Sequence, residues 1–460
     1  MTPPSLKRIA IIDHYSAGGV SRFLFALIAN MARLHPETAF GYFVSEANVK
    51  RDDLFDAFQP YANVTVLPIR SPIPPDEPAV EPGPEPQERG LAWRTSVGLL
   101  KKMPRVHSAM KGAYVAARER ISPTPQPSRW YDYGLDQTVL TQIAEYDVAY
   151  IGWPYWIEPF DTSAPVVATF HDFHYKHFPE AYEPERLERV ERQIPEWLRR
   201  CTIGIVSTKF IQSDLLHYYG EVAPPSQVVY IAPYGLVTPS AEVIDETIET
   251  LGVRRPFVLY SGALTAHKNV VSLVRAIALA RDAGASIQLV ITGHCTDLIG
   301  RSAAEDLSEE VQTIDRAIEE TGLRAGIDYL ALGYVSNTAV DALTASADAV
   351  VSASLYEAGC GPALDAWQMG VPVAFSSIPP FVEQMERFGV EAHVFDPHDP
   401  ADIAAKLRDA VFDTERSHAM AERSRLALQR YTWDDAAQGY YDVFVSAAEL
   451  SRGDAGRSIE

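Results

Sequence analysis

The chain has 460 residues, of which 47% are hydrophobic and 22% are charged, and this composition is typical of a globular protein. A single hydrophobic core rarely grows beyond about 250–300 residues, so we expect two or three domains. The formal charge of −21, from 40 basic and 61 acidic residues, should repel nucleic acid and anionic lipid, which argues against nucleic-acid binding.

The cysteines, Cys201, Cys295 and Cys360, are scattered and odd in number. They fit a reducing cytosol better than a disulfide framework, and none has the spacing of a metal site. The first residues run into a strand pattern without a long apolar segment, and no stretch of about 18 apolar residues occurs. We therefore expect a cytoplasmic protein whose membrane contact, if it has one, is peripheral.

Short apolar runs alternate with amphipathic stretches in both halves of the chain, which predicts two parallel-sheet α/β units. In the first unit, a strand at 9–13 leads to Gly18 and Gly19 and then to a helix that runs through residue 32. The two glycines predict a loop that lets a ligand approach the backbone closely, and a merely steric turn is the alternative.

Residues 70–135 form an unusual insert in the first unit. Its part at 71–88 holds seven prolines and little to bury, which predicts an exposed linker. Residues 91–120 predict a kinked helix with seven basic side chains and one acidic side chain. Docking at a membrane surface or capture of an acceptor is one interpretation, and a solvated helical hairpin packed on the first domain is the one we favour.

The second unit follows a turn at 232–235 and an acidic stretch at 241–250. Its strands are predicted at 257–261, 287–292, 329–332, 348–352 and 372–375, in alternation with helices.

The most informative segment begins with the apolar, β-branched run 347–354, which predicts a buried parallel strand. The strand leads to Glu357 and to a turn in which Gly359 and Gly361 remove side chains that would keep a ligand from the backbone. Pro362 suits the first turn of a helix, so we expect a helix to start near residue 361.

The amides at the start of this helix, from Gly361 to Leu364, and its dipole favour a phosphate or diphosphate. Glu357 and Asp365 flank that site. Two carboxylates beside a diphosphate make sense where they bind hydroxyl groups at its two ends, as the sugars of a nucleotide-sugar offer. Solvated acids beside an ordinary strand-to-helix turn are the alternative.

This segment resembles the Glu-x7-Glu signature of the retaining glycosyltransferases of family 4, with Asp365 where the family usually has the second Glu. Six further segments resemble family motifs and occur in the same order as in the family. They lie at residues 167–173, 206–210, 258–269, 332–336, 394–397 and 431–434. The resemblance covers most of the chain except the insert at about 70 to 135.

The resemblance implies the GT-B fold, in which two Rossmann-like domains with parallel sheets face each other across a cleft and the last helix crosses back to the first domain. It implies an N-terminal acceptor domain at 1–235, a C-terminal nucleotide-sugar domain at 236–432, and a crossing helix and tail at 433–460. The implied activity is a metal-independent, retaining transfer of a hexose from a nucleotide-sugar to a glycan or lipid-linked acceptor in cell-surface polysaccharide synthesis, without a cofactor.

The resemblance also implies roles for individual residues. Glu357 is expected to bind hydroxyls of the transferred sugar, and Lys268 to stabilise the departing diphosphate. His171 is expected beside the sugar, with a buried strand-end histidine bonded to the main chain as the alternative. Asp365 is expected to bind the ribose. The other candidates for donor binding are Gly18, Gly19, Gly262, His267, Gly333, Tyr334, Val335, Gly359, Cys360, Gly361, Pro362 and Leu364.

The chain departs from the family pattern at two places. Asp365 is one methylene shorter than the usual Glu, which lengthens the ribose contact or routes it through water. The family usually has an Arg either right after the glycine of the diphosphate loop or right before the lysine, and this chain has Ala263 and His267 at those places. His267 could replace that Arg only in its protonated form, and Arg22 of the first domain is another source of positive charge.

Three other interpretations compete with a transferase. A metal site at His171, Asp172, His174 and His177 lacks a firm ligand spacing, and no Asp-x-Asp occurs in the sequence. A nicotinamide dehydrogenase lacks a Gly-x-Gly-x-x-Gly after the first strand. A catalytically degenerate relative, which binds a nucleotide-sugar or a partner protein without turnover, is favoured by the two departures and opposed by Glu357, Lys268 and His171.

Overall fold

The structure is a computed structural model that describes residues 6–13, 18–45, 58–69, 135–234, 238–301 and 308–457. The predictions for the linker at 71–88 and the basic helix at 91–120 lie outside the described residues. The strands are β1 (Arg8–Ile12), β2 (Ala39–Ser45), β3 (Val64–Ile69), β4 (Val148–Ile151), β5 (Val166–Thr169), β6 (Cys201–Val206), β7 (Ser226–Val228), β8 (Phe257–Ser261), β9 (Gln288–Thr292), β10 (Tyr329–Gly333), β11 (Ala349–Ser352), β12 (Val373–Ser376) and β13 (His393–Phe395).

The helices of the first half are α1 (Gly18–Leu34), α2 (Gln137–Ile143), α3 (His174–His177), α4 (Pro184–Arg200) and α5 (Lys209–Tyr219). Those of the second half are α6 (Ala241–Leu251), α7 (Val270–Asp282), α8 (Glu309–Thr321), α9 (Asn337–Ser346), α10 (Gly361–Gln368), α11 (Pro379–Phe388), α12 (Pro400–Phe412), α13 (Thr414–Leu428) and α14 (Trp433–Arg457). Short 3-10 turns lie at Pro154–Trp156, Pro179–Ala181, Ala266–Lys268 and Thr296–Leu298.

Within these residues the strands form two separate parallel sheets. The first has seven strands in the order β3-β2-β1-β4-β5-β6-β7, and the second has six in the order β10-β9-β8-β11-β12-β13. In each sheet the first strand of the unit lies inside and the chain winds outward in both directions, which is the arrangement of a doubly wound α/β domain. The predicted fold class of two Rossmann-like units is confirmed.

The strands are buried because helices cover both faces of each sheet. All five residues of β9 are buried, as are four of the five residues of β1. Two apolar clusters lie on the two faces of the first sheet, and two more lie on the faces of the second. The near-continuous apolar runs of the sequence therefore correspond to strands that are covered on both sides.

The last helix returns to the first domain, as predicted. Tyr440, Phe444 and Ala447 of α14 are fully buried in the apolar cluster that contains Leu27 and Met31 of α1. The ring of Trp433, at the start of α14, lies 5.9 Å from that of Phe23. The two ends of the described chain thus share one core, which ties the second domain to the first.

None of the helices that the structure describes combines the length and the apolar character needed to cross a bilayer.

The ends of β8 and β9 approach each other at two glycines. Gly293 has φ +132°, and a Cβ atom on it would lie 2.1 Å from the carbonyl oxygen of Gly262. The amide of Gly262 in turn donates to the carbonyl of Thr292 at 2.9 Å. The lysine turn that follows Gly262 can therefore approach the end of β9 only because residue 293 has no side chain.

We predict that Gly293→Ala destabilises the second domain by about 3 kcal/mol or more, because the new methyl group overlaps a backbone carbonyl in addition to straining φ. The matched control is Gly284→Ala. Gly284 has φ +85° with no atom within 4 Å of the added methyl, so we expect a loss of about 1 kcal/mol. Urea-induced unfolding measures both, and equal losses for the two variants would contradict the close-approach explanation.

Candidate functional site

An acidic loop joins β11 to α10 at the carboxyl end of the second sheet. The strand ends at Ser352, and α10 begins at Gly361 with Pro362 in its first turn. The helix therefore starts at the predicted position. Within the loop, the hydroxyl of Ser354 donates a hydrogen bond to Oε1 of Glu357 at 2.8 Å, which fixes the orientation of that carboxylate.

Glu357 forms an ion pair with Lys268, and the structure thereby brings together two of the predicted catalytic residues. Lys268 ends the 3-10 turn that follows β8. The amide of Leu355 donates to the carbonyl of His267 at 2.7 Å, so the lysine turn and the acidic loop are joined through their backbones as well. Both side chains of the pair are about three-quarters buried or more, which strengthens their attraction relative to a surface pair.

Asn269 anchors the lysine turn. It adopts a left-handed backbone conformation with φ 55°, which asparagine tolerates better than most residues. Its side-chain amide donates to the carbonyl oxygens of Ala353 and Pro397, at 3.1 Å and 2.9 Å. Asn269 was not among the predicted site residues, although its place directly after Lys268, between a strand and a helix, was a usable signal.

Asp365 is paired across the cleft with Arg22 of α1. The guanidinium donates to the two carboxylate oxygens at 2.8 Å and 3.4 Å, and it lies 4.1 Å from the ring centroid of Tyr234. Burial raises the pKa of Asp365 to about 6, although the positive charge of Arg22 opposes this shift. The structure therefore places a cation from the first domain at the first turns of α10.

Fewer backbone N–H groups at the start of α10 are left for a ligand than the sequence predicted. The N–H of Cys360 donates to the side-chain carbonyl of Gln384 at 2.8 Å, and the Gln384 amide donates back to the Cys360 carbonyl at 3.2 Å. The N–H of Leu364 is used inside the helix, at 3.2 Å from the same carbonyl, and Pro362 has no N–H. The amide of Ala363 interacts with the thiol of Cys360. Among the described contacts of this turn, the amide of Gly361 is the one left for an anion.

Gln384 was missed because it lies on α11, far from the motif in sequence, and no local pattern marks it. Its reciprocal contacts hold the turn at Cys360, while the two glycines around the turn leave room on the opposite side. A Cβ atom on Gly361 would meet no atom within 4 Å, and one on Gly359 would make only an ordinary contact with Gln384. The turn is thus held from one side and open on the other.

The predicted nucleobase loop follows β10. Gly333 has φ +71°, and its carbonyl accepts hydrogen bonds from the amide of Gly293 at 3.0 Å and the hydroxyl of Thr292 at 2.8 Å. Tyr334 is 66% exposed, whereas Val335 is partly buried. The loop is therefore fixed at its glycine and open at its tyrosine.

His171 follows β5 and is buried. Its Nε2 lies 3.1 Å from the carbonyl oxygen of Gly152, and its ring stacks on Trp153 with the edge of Phe23 against it. Burial lowers the pKa of His171 to about 4, so the ring is neutral and donates from Nε2. These are the contacts of the strand-end alternative, and contact of His171 with a sugar stays a prediction.

Gly18 and Gly19 begin α1 itself, whereas the sequence predicted a loop there. A helix start is compatible with glycine, and the first amides of a helix have no partner within the helix. Donor binding by Gly18 and Gly19 therefore stays a prediction that now rests on backbone N–H groups at a helix N-terminus.

Two histidines meet where the domains face each other. The ring centroids of His174 and His267 are 4.0 Å apart. Burial, the charge of Lys268 and the neighbouring imidazole lower the pKa of His267 to about 2, and burial and Lys268 lower that of His174 to about 4. Both rings are therefore neutral in this structure. Protonation of His267 beside a diphosphate stays a prediction, and so does the role of Arg22 as the missing cation.

The three histidines of the suspected metal site each have a different hydrogen-bond partner. His174 Nδ1 lies 2.9 Å from the hydroxyl of Tyr182, and His177 Nε2 lies 2.8 Å from a carboxylate oxygen of Asp214, while His171 contacts the main chain. Across the described ranges, no group of three or more His, Cys, Asp or Glu side chains is arranged to hold a metal ion.

A cavity of about 280 Å³ lies between the domains beside the Lys268–Glu357 pair. From the second domain it is lined by Thr265, His267, Tyr356, Glu357 and Ala358. The side chains of the first domain are aromatic or ionisable for the most part, and they include Trp153, Tyr155, Asp172, His174, Tyr182 and Arg186. Sequence reasoning had found Glu357 and His267 of this set as donor-side residues, and it had not recognised the first-domain wall.

Tyr356 of the acidic loop is buried in the apolar cluster of the first domain. Its hydroxyl accepts the N–H of Phe173 at 2.9 Å and donates to Asp214 at 2.9 Å. A second contact between domains is made by Glu383 of α11, whose carboxylate accepts the first two amides of α5, at 2.6 Å and 3.0 Å, where a negative charge is favourable. The cleft is thus closed by specific polar contacts.

Residues 244–427 match the family model described as glycosyl transferases group 1. This part of the chain is similar to that family. It contains Lys268, Glu357 and Asp365, together with most of the second sheet. The resemblance found in the sequence is confirmed at this level.

Two curated proteins show the same relationship to the chain. This chain is 24% identical to the O-antigen chain mannosyltransferase B of Escherichia coli over 272 residues. These residues are 58% of this chain and 67% of that protein. The chain is 25% identical over 236 residues to the lipopolysaccharide 1,2-N-acetylglucosaminetransferase of Salmonella typhimurium, which is 50% of this chain and 60% of that protein.

Solved structures share the fold over almost the whole length of this chain. Anabaena HepE in complex with UDP and glucose matches with a TM-score of 0.60 and 16% identity, over 96% of this chain and 100% of that one. WaaG, a glycosyltransferase involved in lipopolysaccharide biosynthesis, matches with a TM-score of 0.57 and 12% identity, over 95% and 99%. The fold is that of the GT-B glycosyltransferases, as the sequence predicted.

The pKa of Asp365 predicts a pH effect on stability. Between about pH 4 and pH 6 the folded chain holds a proton on Asp365 that the unfolded chain has released, so this carboxyl makes the folded state less stable as the pH rises through that range. Relative to Asp365→Asn, which cannot titrate, we expect the wild type to lose on the order of 2 kcal/mol across it.

Denaturant unfolding at a series of pH values measures this difference. Asp282→Asn is the control, because Asp282 is an exposed carboxyl on α7 and the substitution removes the same single charge. Parallel pH profiles for the wild type and Asp365→Asn would contradict the prediction.

Proposed function

We propose that the chain is a metal-independent, retaining glycosyltransferase that moves a hexose from a nucleotide-sugar to a glycan or lipid-linked acceptor in cell-surface polysaccharide synthesis. The observation that carries the proposal is the pair of Lys268 and Glu357, held in the cleft beside the N-terminus of α10 within the group 1 region. The names of the two curated relatives, which refer to O-antigen and lipopolysaccharide, support the polysaccharide assignment.

The departing diphosphate is stabilised by three groups in this proposal. Lys268 exchanges part of its contact with Glu357 for the phosphate oxygens, and the amide of Gly361 supplies a fixed donor. Arg22 of α1 adds a second cation from the first domain, because its guanidinium already contacts Asp365 of α10. Charges and amides that are oriented before the reaction stabilise developing negative charge with little reorganisation.

The two carboxylates bind the sugars at the ends of the diphosphate. Glu357 accepts hydroxyls of the transferred hexose, and its contacts with Lys268 and Ser354 hold it as a hydrogen-bond acceptor. Asp365 accepts the ribose hydroxyls, which compete with Arg22 for its oxygens. This exchange frees part of the Arg22 guanidinium for the neighbouring phosphate. Arg22 thereby compensates both for the shorter Asp365 and for the Arg that the family usually has near the lysine.

Retention of configuration follows from attack on the face that the leaving group occupies. The bond from the anomeric carbon to the diphosphate oxygen breaks, the acceptor oxygen bonds to the same face, and the acceptor proton passes to the departing phosphate. Glu357 is bonded to Lys268 and Ser354, which suits a binding role better than that of a nucleophile. No covalent intermediate with the protein is required.

The alternative is a degenerate GT-B protein that binds a nucleotide-sugar or a partner protein without turnover. Asp365 favours it, since its oxygens are already occupied by Arg22. The intact pair of Lys268 and Glu357 opposes it. Under either function the chain is expected in the cytoplasm, and the basic segment 91–120 is the place we propose for peripheral membrane contact.

We predict that Lys268→Ala lowers turnover of the preferred nucleotide-sugar by about 100-fold or more, because one oriented cation is lost from the leaving-group site. The measurement is release of nucleoside diphosphate from a panel of radiolabelled nucleotide-sugars, with EDTA present throughout. Lys406→Ala is the matched control, because Lys406 lies on α12 and its charge acts on His393 instead. We expect that variant to behave as the wild type.

Two outcomes would count against the enzyme. Tight binding of a nucleotide-sugar by the wild type with no release of product would support the degenerate alternative. Equal turnover in the wild type and Lys268→Ala would remove Lys268 from the mechanism.

A further inference from the structure

The cavity beside Glu357 contains buried polar groups that the proposed donor site does not use. His174 is buried and lines the cavity, and its Nε2 has no hydrogen-bond partner among the described residues. The same is true of Nε1 of Trp153, whose ring also lines the cavity. An unpaired buried polar atom costs free energy, so two of them around one cavity indicate a place where a ligand supplies the missing contacts.

Both of these atoms can act as donors. An indole nitrogen always carries a hydrogen. The imidazole of His174 is neutral, since burial lowers its pKa to about 4, and its Nδ1 lies 2.9 Å from the hydroxyl of Tyr182. In the tautomer that accepts the hydroxyl proton at Nδ1, the hydrogen of the ring is on Nε2. The first-domain wall then offers N–H groups and requires acceptor atoms from its ligand.

Arg186 of α4 adds a cation to the same wall. Its guanidinium lies 4.9 Å from the ring centroid of Tyr182, whose hydroxyl meets Nδ1 of His174. Burial lowers the pKa of Arg186 itself, which shows that water has been partly removed around it. A guanidinium in such a position binds carboxylate or phosphate more strongly than one in water.

The remaining groups suit a sugar. Trp153, Tyr155 and Tyr182 provide aromatic surface on the first-domain side, against which the apolar face of a pyranose can pack. Asp172 and Glu357 provide carboxylates that accept hydroxyl hydrogens, and the charge of Glu357 raises the pKa of Asp172 in addition to the effect of burial. The cavity is thus lined by two carboxylates, those of Asp172 and Glu357, and by the guanidinium of Arg186.

We propose that this cavity is the acceptor subsite and that it takes a sugar bearing an anionic group, whose charge contacts Arg186 while its hydroxyls face Asp172 and Glu357. The inference rests on the proposed glycosyltransferase function. A uronic acid and a phosphorylated sugar offer the same charged oxygens, and both belong to this class of acceptor. Trp153 and His174 complete the subsite by donating to sugar or anion oxygens.

Binding of small acceptor mimics to the full chain tests the proposal. The probes are methyl β-glucuronide, glucose 6-phosphate and neutral methyl β-glucoside, and their dissociation constants are measured by ligand-observed NMR in the presence of nucleoside diphosphate. We expect at least one charged probe to bind about 10-fold more tightly than the glucoside. A preference for the glucuronide indicates a uronic acid, and a preference for the phosphate ester indicates a phosphorylated sugar.

Arg186→Gln should reduce this preference to about twofold or less, and Arg186→Lys should keep part of it because the charge remains. The matched control is Arg199→Gln, since Arg199 is exposed on the same helix and does not line the cavity. Thermal unfolding of each variant shows whether it is folded. Equal binding of charged and neutral probes, or binding of none of them at 50 mM, would overturn the proposal.

Hydrolysis of the nucleotide-sugar without an acceptor, measured in parallel, separates the two proposals. Unchanged hydrolysis in Arg186→Gln together with lost preference among acceptor mimics supports the acceptor subsite. If Arg186→Gln instead changes which nucleotide-sugar is hydrolysed, the cavity holds the transferred sugar and the acceptor proposal is wrong. If the wild type hydrolyses the nucleotide-sugar but binds the charged and neutral probes equally, the acceptor subsite is wrong while the proposed transferase stands.

Discussion

The contact on which the site depends is the insertion of Tyr356 into the first domain. Its ring is buried in the core of that domain, and its hydroxyl is fixed between the amide of Phe173 and the carboxylate of Asp214. Glu357 is the next residue in the chain. Tyr356 therefore sets the position of the acidic loop relative to the first domain. A small shift of one domain against the other would move the carboxylate of Glu357 relative to the first-domain side of the site.

The contact between Arg22 and Asp365 has a different character, because it involves groups that the proposed donor also needs. Asp365 is almost fully buried, and its raised pKa shows that the ion pair does not fully offset the lost hydration. A ligand that brings hydroxyls to Asp365 and phosphate oxygens to Arg22 satisfies both groups at once. Donor binding and the closed arrangement of the domains are then coupled through one pair of side chains, since the pair is made only where α1 and α10 face each other.

The sequence predicted those strands and helix ends that are marked by residues close together in the chain. The strands of the second sheet, the start of α10 and the return of α14 follow from apolar runs, from the Gly-Cys-Gly-Pro turn and from family motifs. The meeting of Lys268 and Glu357 could also be anticipated, because both residues follow parallel strands, whose carboxyl ends lie at one edge of a sheet.

Features that depend on distant contacts could not be predicted in the same way. Gln384 takes the amide of Cys360 from another helix, and nothing near either residue marks that bond. His267 was considered as a protonated substitute for an arginine, but its pKa is set by burial against His174 of the other domain, which the sequence does not show. Gly18 and Gly19 have the composition of a loop, yet they begin a helix because glycine is permitted at both kinds of position.

The two neutral histidines separate the sites that we propose for two negatively charged ligands. His174 and His267 lie in contact, and burial keeps both uncharged at neutral pH. The positive charge of the cleft is consequently divided between Lys268 and Arg22 at the proposed donor site and Arg186 at the proposed acceptor subsite. Were the imidazoles protonated, they would join these charges into one continuous anion site, in which a diphosphate could bind in more than one register. Their neutrality leaves each proposed ligand its own cations, and complementary charges of this kind favour one binding register over another.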